Sequence, residues 1–517
     1  MSELLPAEPA LRVSQATGMP AGKTLAALDH LLVVLPHAPG AAAWRRVPDA
    51  ARLQRQLQRL GPPATRGMLR SRLGGSADTG VTLACLPAPG KQADTAFARL
   101  KWSGEVMAEA LGSRPRRLGI LVAGLPAECS ATLAQSLLLA AGAAAFRMPG
   151  FRRQPDPARR LHAVQLLGLE TKLDLRRTLV EIETANLVRW LTALPPNKLT
   201  AGGYRELVAQ LAEHHDWGLR FLDSAALRRL GAGAFLAVAQ GSEGRGADAG
   251  ILHLSHRPRG RGRSRPDVAL VGKGILFDTG GTNLKPFRAM LDMHQDMCGS
   301  AVALATLLAM TRLGLPLAAD CWLAITENRI GPQAYKPRDV VRAVDGTSIE
   351  VIHTDAEGRM ALADTLALAA REKPRLIIDY ATLTGQCINA LTERYSGVFS
   401  NRPALDALLV AAGRDSGERV WPFPMDEDFD EELKSDVADV LQCSPENEGD
   451  HILAARFLQR FLPASQPWVH VDLSAAARKK GLAQVPAGPT GFGVRLTLNL
   501  LLDRQAELGR LLAAPGA

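Results

Sequence analysis

Apolar positions along this chain fall into short runs and longer helical repeats, and the alternation between them sharpens near residue 195. Before that point, residues 31–35 and 81–86 are apolar runs of strand length, and 117–124 is a third. Residues 131–145, rich in Ala and Leu, are long enough to favour helix over strand. Arg152, Arg153, Pro155, Pro157, Arg159 and Arg160 have the composition of a loop. Residues 1–175 therefore read as a small α/β domain with no concentrated polar constellation. A helical repeat follows over 176–194, apolar at Leu179, Ile182, Ala185, Leu187, Val188 and Leu191, and Pro195-Pro196 stops it. It reads as an interdomain helix.

From 195 onward, strand-like runs stand at 235–239, 250–254, 268–271, 321–325, 376–380 and 468–473. Helix-like runs alternate with them at 299–311, 359–371, 405–413 and 451–461. That rhythm predicts strands laid mostly parallel and covered by helices on both faces. The expected fold is α/β in two domains: a small N-terminal α/β domain at 1–175, and a larger C-terminal domain at 195–517 whose mixed, largely parallel sheet is flanked by helices. Sites in such sheets gather beyond the carboxyl ends of the strands.

Length agrees, since 517 residues exceed what one core holds. A hydrophobic share of 47% and a charged share of 22% are ordinary for a globular chain. The net charge of +9 is partly concentrated at 257–265, Arg-Pro-Arg-Gly-Arg-Gly-Arg-Ser-Arg. A basic surface attracts nucleic acid, but this run has no interleaved aromatics on which bases would stack. The six cysteines, Cys85, Cys129, Cys298, Cys321, Cys387 and Cys443, are scattered without a Cys-x-x-Cys pair. Neither a zinc ribbon nor a disulfide framework is expected, and a reducing compartment is. The first residues lack a basic start followed by an apolar core, and no apolar run is read as long enough to span a bilayer. The expectation is a cytoplasmic protein with no membrane partner.

The chemistry concentrates in two stretches. His353-Thr-Asp-Ala-Glu-Gly-Arg359 puts two carboxylates, Asp355 and Glu357, one residue apart before a helical pattern. Such a pair suits a divalent cation with oxygen ligands. It also suits a plain helix N-terminus, where acids meet the positive end of the dipole. Upstream, Val271-Gly-Lys-Gly-Ile-Leu-Phe-Asp-Thr-Gly-Gly-Thr-Asn-Leu-Lys-Pro286 follows a strand and presents Lys273, Asp278 and Lys285, and Asp296 stands at the start of the next helix. A phosphate-binding loop fails here: Asp267 occupies the position that needs the first glycine, and Gly274 follows Lys273 where Ser or Thr is required. Four carboxylates and two lysines in glycine-rich turns of one α/β unit favour a two-metal site, with ions about 3.5–4 Å apart. A phosphoesterase of that kind would bring several histidine ligands, yet His294 and His353 are the only histidines near these motifs.

These motifs, in order and spacing, resemble the leucyl (cytosol) aminopeptidase family of metallopeptidases. Val271-Gly-Lys-Gly with Phe277-Asp278, Lys285-Pro286, Asp296-Met297 and Thr354-Asp-Ala-Glu-Gly-Arg359 carry the likeness. Asn197 after a double proline, Ala381-Thr-Leu-Thr-Gly385, Phe399-Ser-Asn401, Ser435-Asp-Val-Ala-Asp439 and Gly488-Pro-Thr-Gly491 extend it over 195–517. The resemblance implies a catalytic domain there that removes N-terminal residues from peptides, Leu or another apolar residue preferred. It implies two divalent ions, Mn or Zn, held by Lys273, Asp278, Asp296, Asp355 and Glu357. Asp278 and Glu357 would bridge, Lys273 and Asp296 would complete one site, and Asp355 would serve the other. Lys285 is implied as the electrophile, Arg359 as the holder of a bicarbonate base, and Met293, Thr382 and Gly385 as pocket wall. A homohexamer is implied as well. A DNA-binding or regulatory protein on the same scaffold is the competing reading.

Four positions depart from that pattern. His353 stands where the family has Asn and is expected to be a satisfied hydrogen-bond donor behind the ligands. Cys298 replaces a glycine and is expected to be a small packing residue, close enough to Asp296 to be sensitive to oxidation. Cys443-Ser-Pro-Glu-Asn-Glu-Gly-Asp450 is acidic where the family is glycine-rich, and Ala475-Ala-Ala-Arg-Lys-Lys480 is unusually small and basic.

Overall fold

The computed structural model describes residues 4–6, 11–59, 68–74, 78–90, 95–153, 161–242, 248–262 and 264–513. The loop residues Pro155, Pro157, Arg159 and Arg160, part of the basic run at Arg263, and residues 1–3 and 7–10 lie outside them. The chain divides into two compact units, one of Glu8–Glu183 with Lys480–Ala487, the other of Met1–Ala7, Thr184–Lys479 and Gly488–Ala517. The division falls inside the helix Arg176–Ala193.

The smaller unit is built on a six-stranded sheet in the order Arg12–Thr17, Ala163–Leu169, Arg117–Val122, His30–Leu35, Gly80–Cys85, Met68–Arg72. Only the last pair runs antiparallel. Every residue of His30–Leu35 is buried, as expected of a central strand covered on both faces. The helices Ala96–Leu111 and Ala127–Ala145 cover one face through Val106, Met107, Leu137 and Leu138. Trp44, Val47 and Leu53 close the other. Lys480–Ala487, contributed from late in the chain, is a tight turn in which Leu482 and Val485 exchange both backbone hydrogen bonds, at 3.0 and 2.9 Å. The backbone of Gln484 in this turn lies against Gly104, where a Cβ would stand 3.1 Å from Gln484 Cα.

The larger unit carries an eight-stranded sheet: Val420–Pro422, Ser396–Ser400, Trp468–Asp472, Ile377–Ala381, Val268–Asp278, Ala319–Asn328, Gly250–His256, Gly218–Asp223. The four central strands, from Trp468–Asp472 to Ala319–Asn328, are mutually parallel, and antiparallel neighbours flank them. The fold is the expected mixed, largely parallel α/β arrangement. The helices Cys298–Leu313 and Glu357–Arg371 are buried along nearly their whole length against the central strands. Gly299 lets the first of them touch the sheet. A Cβ there would fall 2.1 Å from the Tyr380 carbonyl oxygen.

Two expectations fail here. Residues 235–239, read as a strand, form the helix Gly233–Ala239. Five consecutive apolar residues have no periodicity to separate the two forms, and the helix is fixed instead by tertiary capping: Phe235 N–H donates to the buried Asp364 carboxylate at 2.8 Å. And one run, Phe287–Leu313, does reach the length and apolarity of a membrane span. It comprises turns and the core helix Cys298–Leu313, and 83% of its most apolar window is buried within the fold.

Candidate metal centre

The five residues named as ligands, and Lys285, converge beyond the carboxyl ends of the central parallel strands. Lys273 and Asp278 lie on the Val268–Asp278 strand, Asp296 in the turn entering Cys298–Leu313, Asp355 in the loop before Glu357–Arg371, and Glu357 at that helix's first position. Lys273 Nζ lies 2.9 Å from Asp296 Oδ1, 2.9 Å from Glu357 Oε1, and donates to the Thr382 carbonyl at 3.0 Å. Lys285 Nζ lies 2.9 Å from Asp278 Oδ2 and 2.5 Å from Asp355 Oδ1. Carboxylate oxygens of Asp278, Asp355 and Glu357 all fall within 4.8 Å of one another.

Four carboxylates face two ammonium groups in this buried cluster. Burial, with Glu357 and Asp278 adding to it against Lys273, pushes Asp296 up to about 7. Burial and Asp278 push Glu357 up to about 7, against Lys273 and Lys285. Burial and Asp278 raise Asp355 to about 6. Burial alone lowers Lys273, but Asp296, Glu357 and Asp278 outweigh it and raise its pKa. Asp296 Oδ2 is buried with no hydrogen-bond partner. Excess buried negative charge and an orphaned carboxylate oxygen are what cation ligands look like before they are satisfied. Oxygen ligands with a single amine suit Mn, Mg, Co or Zn.

Glycine makes the room. A Cβ on Gly358 would stand 2.6 Å from both Cε and Nζ of Lys273. Second-rank contacts hold the acids in place. Asp278 Oδ1 accepts from Gly280 N–H and Asn328 Nδ2, each at 2.8 Å. Asn328 Nδ2 also donates to the Thr354 carbonyl at 3.0 Å, which Tyr335 Oη reaches at 2.8 Å. Asn328 and Tyr335 were not foreseen, because each is an isolated residue whose partners are distant in sequence. The Asn-to-carboxylate contact belongs to the end of a strand paired with Val268–Asp278, which is the only signal that could have found it.

Of the pocket residues, Thr382 touches the cluster, its Oγ1 donating to Asp296 Oδ1 at 2.7 Å. Met293 is half-buried in the turn Met293–Gln295 leading to Asp296, and Gly385 is exposed at the start of Gly385–Leu391. Arg359 is buried and set apart from the carboxylate cluster's hydrogen bonds. Its Nη2 donates to both oxygens of Asp450, at 2.8 and 2.7 Å, and its Nη1 to the Gln442 carbonyl at 3.3 Å.

Two of the four departures gain a definite role in three dimensions. His353 accepts where a donor was expected: its exposed ring takes the Asp355 backbone N–H on Nδ1 at 3.2 Å. This contact fixes the loop that carries Asp355. Cys298 is fully buried, as a packing residue is, and burial, with a small push from Asp296, raises its thiol to about 11, which disfavours the reactive thiolate. None of the six cysteines forms a disulfide.

Residues 186–498 match the model of the cytosol aminopeptidase family, catalytic domain. A probable cytosol aminopeptidase of Parasynechococcus marenigrum is 39% identical over 358 residues, 68% of this chain and 72% of the relative. One from Chlorobaculum tepidum is 42% identical over 318 residues, 61% of this chain and 62% of the relative. Among solved structures, a mutant of tomato leucine aminopeptidase superposes with a TM-score of 0.81 at 26% identity, covering 96% of this chain and 98% of that one. The bottromycin maturation enzyme BotP in complex with Mn gives 0.77 at 30% identity, covering 92% and 98%. Carboxylates and a lysine gathered at the ends of parallel strands thus sit within the matched region, and the chain belongs to the cytosol aminopeptidase family, as a leucyl-type metalloaminopeptidase.

Proposed function

We propose that this aminopeptidase binds two divalent cations, Mn or Zn, through Lys273, Asp278, Asp296, Asp355 and Glu357, and releases apolar N-terminal residues, Leu foremost, from peptides. The observation that carries the reading is the convergence of buried Asp278 and Glu357 oxygens with those of half-buried Asp355 within 4.8 Å, beside an Asp296 oxygen with no partner. When bound, such cations supply Lewis acidity at the scissile carbonyl and bring the pKa of a water toward neutrality. Positive charge on the carboxylates would displace the lysine ammonium groups from them. Burial then favours the neutral amine of Lys273, which makes it a nitrogen ligand. Lys285 has the more open position, its side chain 13% exposed against 3% for Lys273. It is placed to donate to the oxygen that becomes negative as the peptide carbon turns tetrahedral. Arg359 holds the oxyanion that takes the water's proton, which the resemblance supplies as bicarbonate.

Met293, Thr382 and Gly385 form the wall for the first side chain. The exposed Leu284, Phe287 and Leu291, which flank Lys285 in the chain, add apolar surface nearby and support a preference for apolar residues. The Mn in the matched BotP structure supports Mn as one metal used. A homohexamer in the cytoplasm completes the reading, and relatives named cytosol aminopeptidases support that location. The test is release of Leu from an amide substrate by protein supplied with Mn or Zn. Glu357→Ala is expected to lose essentially all of that activity. Equal rates in variant and parent would refute the ligand assignment.

A further inference from the structure

The acidic departure at 443–450 ends on the residue that holds Arg359. We propose that Asp450 is the general base of this enzyme: its carboxylate takes the seat on Arg359 and accepts the proton of the attacking water, so that the reaction needs no bicarbonate. The inference rests on the two-metal site proposed above and replaces the bicarbonate that the family resemblance supplies with a side chain of this chain.

The seat is built. Arg359 is 2% exposed, on the first turn of Glu357–Arg371 and two residues beyond Glu357. Asp450 accepts from Nη2 through both oxygens, at 2.8 and 2.7 Å, and its side chain, 15% exposed, is the part of the pair that solvent reaches. Asp450 opens the helix Asp450–Gln459, directly after Gly449 in the left-handed region at φ 60°, so its backbone position is set by the fold. Gln442 ties the seat to the ligand loop. Its carbonyl accepts from Arg359 Nη1, its Oε1 accepts the Ile352 and His353 N–H groups, and its Nε2 donates to the Ala356 carbonyl. The loop that Gln442 ties also carries Asp355, whose Oδ1 lies 2.5 Å from Lys285 Nζ, so the pair and Lys285 border the same loop. A free anion could enter only by separating a buried ion pair, which is strongly unfavourable. Nε, buried without a partner, shares an edge of the guanidinium with Nη2. A small swing of the carboxylate would convert the contact to a two-nitrogen fork without vacating the seat.

The proton balance closes within the chain. As the water oxygen bonds to the peptide carbon, its O–H breaks and the proton passes to an Asp450 oxygen. As the C–N bond breaks, that proton moves to the departing amine nitrogen and the carboxylate is restored.

The experiment uses full-length protein supplied with Mn, assayed in carbon-dioxide-free buffer and with added bicarbonate. The parent rate is expected to be the same in both. Asp450→Ala is expected to lose about 10²–10⁴-fold in kcat with little change in KM, and to recover with added bicarbonate or formate. Titration calorimetry should detect bicarbonate binding to Asp450→Ala and none to the parent. A parent rate that rises with bicarbonate overturns the proposal, as does an Asp450→Ala rate that is undiminished or that neither anion restores. Should that variant fail to fold, the parent's response to bicarbonate decides alone. Failure of the two-metal reading would show separately, as a parent whose activity survives Glu357→Ala.

Discussion

Gly358 lacks a side chain because Lys273 occupies the space one would fill. With a Cβ 2.6 Å from Lys273 Cε and Nζ, Gly358→Ala must push the lysine end away from Asp296 and Glu357. The displaced group is a flexible tip, so the fold should survive at a cost of about 1–3 kcal/mol. The expected outcome is a far larger drop in kcat than in melting temperature, measured side by side with the parent. Residues of this kind were legible in the sequence because the chain writes them close together: Asp355, Glu357 and Gly358 are near neighbours, and Lys273 and Asp278 share one strand end. Asn328 and Tyr335 were not legible, since their contacts to Asp278 and Thr354 exist only once separate segments are brought together. Asp450 stood out as an oddity of composition, but only the folded chain puts it on Arg359.

Whole elements were readable where length or periodicity separated helix from strand, as in Cys298–Leu313 and Val268–Asp278. The five-residue run at 235–239 was not, because its helical form depends on the Asp364 carboxylate, which burial raises to about 7 even as it receives backbone N–H groups. A related dependence is built into the strand His30–Leu35. His30 is buried, with Nε2 2.8 Å from Thr82 Oγ1 and Nδ1 3.1 Å from Ser113 Oγ. Burial, helped by the charge of Arg70, lowers its pKa to about 4. The folded imidazole therefore stays neutral while the unfolded one gains a proton near pH 6.5, so His30's contribution to stability is present above that value and is lost as pH falls toward 4. Hydrogen-exchange protection of His30–Leu35 should decline between pH 7 and 4.5, and decline less in His30→Gln. An equal decline in both would assign the effect elsewhere.

At the scale of the molecule, the buried carboxylate cluster couples metal to stability. A cation that binds only the folded chain stabilises it by about 2.7 kcal/mol at a hundred times its dissociation constant. In a chain of this size that should appear as a rise in melting temperature of several degrees on adding Mn after chelation, with activity returning in parallel. Glu357→Ala should lose the thermal response along with the activity. A parent that melts at the same temperature with chelator and with Mn would count against cation binding in the cluster. The two-unit division was legible only in outline, because contiguous reading has no way to assign Lys480–Ala487 to the unit that ends at Glu183.

That late turn gives the smaller unit a schedule. Its main segment leaves the ribosome about 300 residues before Lys480–Ala487 is made. At roughly 5–20 residues per second the delay is on the order of 15–60 s. Throughout it, the ground under Gln484 at Gly104 lies open. The first unit to be synthesised is among the last to be finished, and a message truncated before codon 480 would yield both units incomplete.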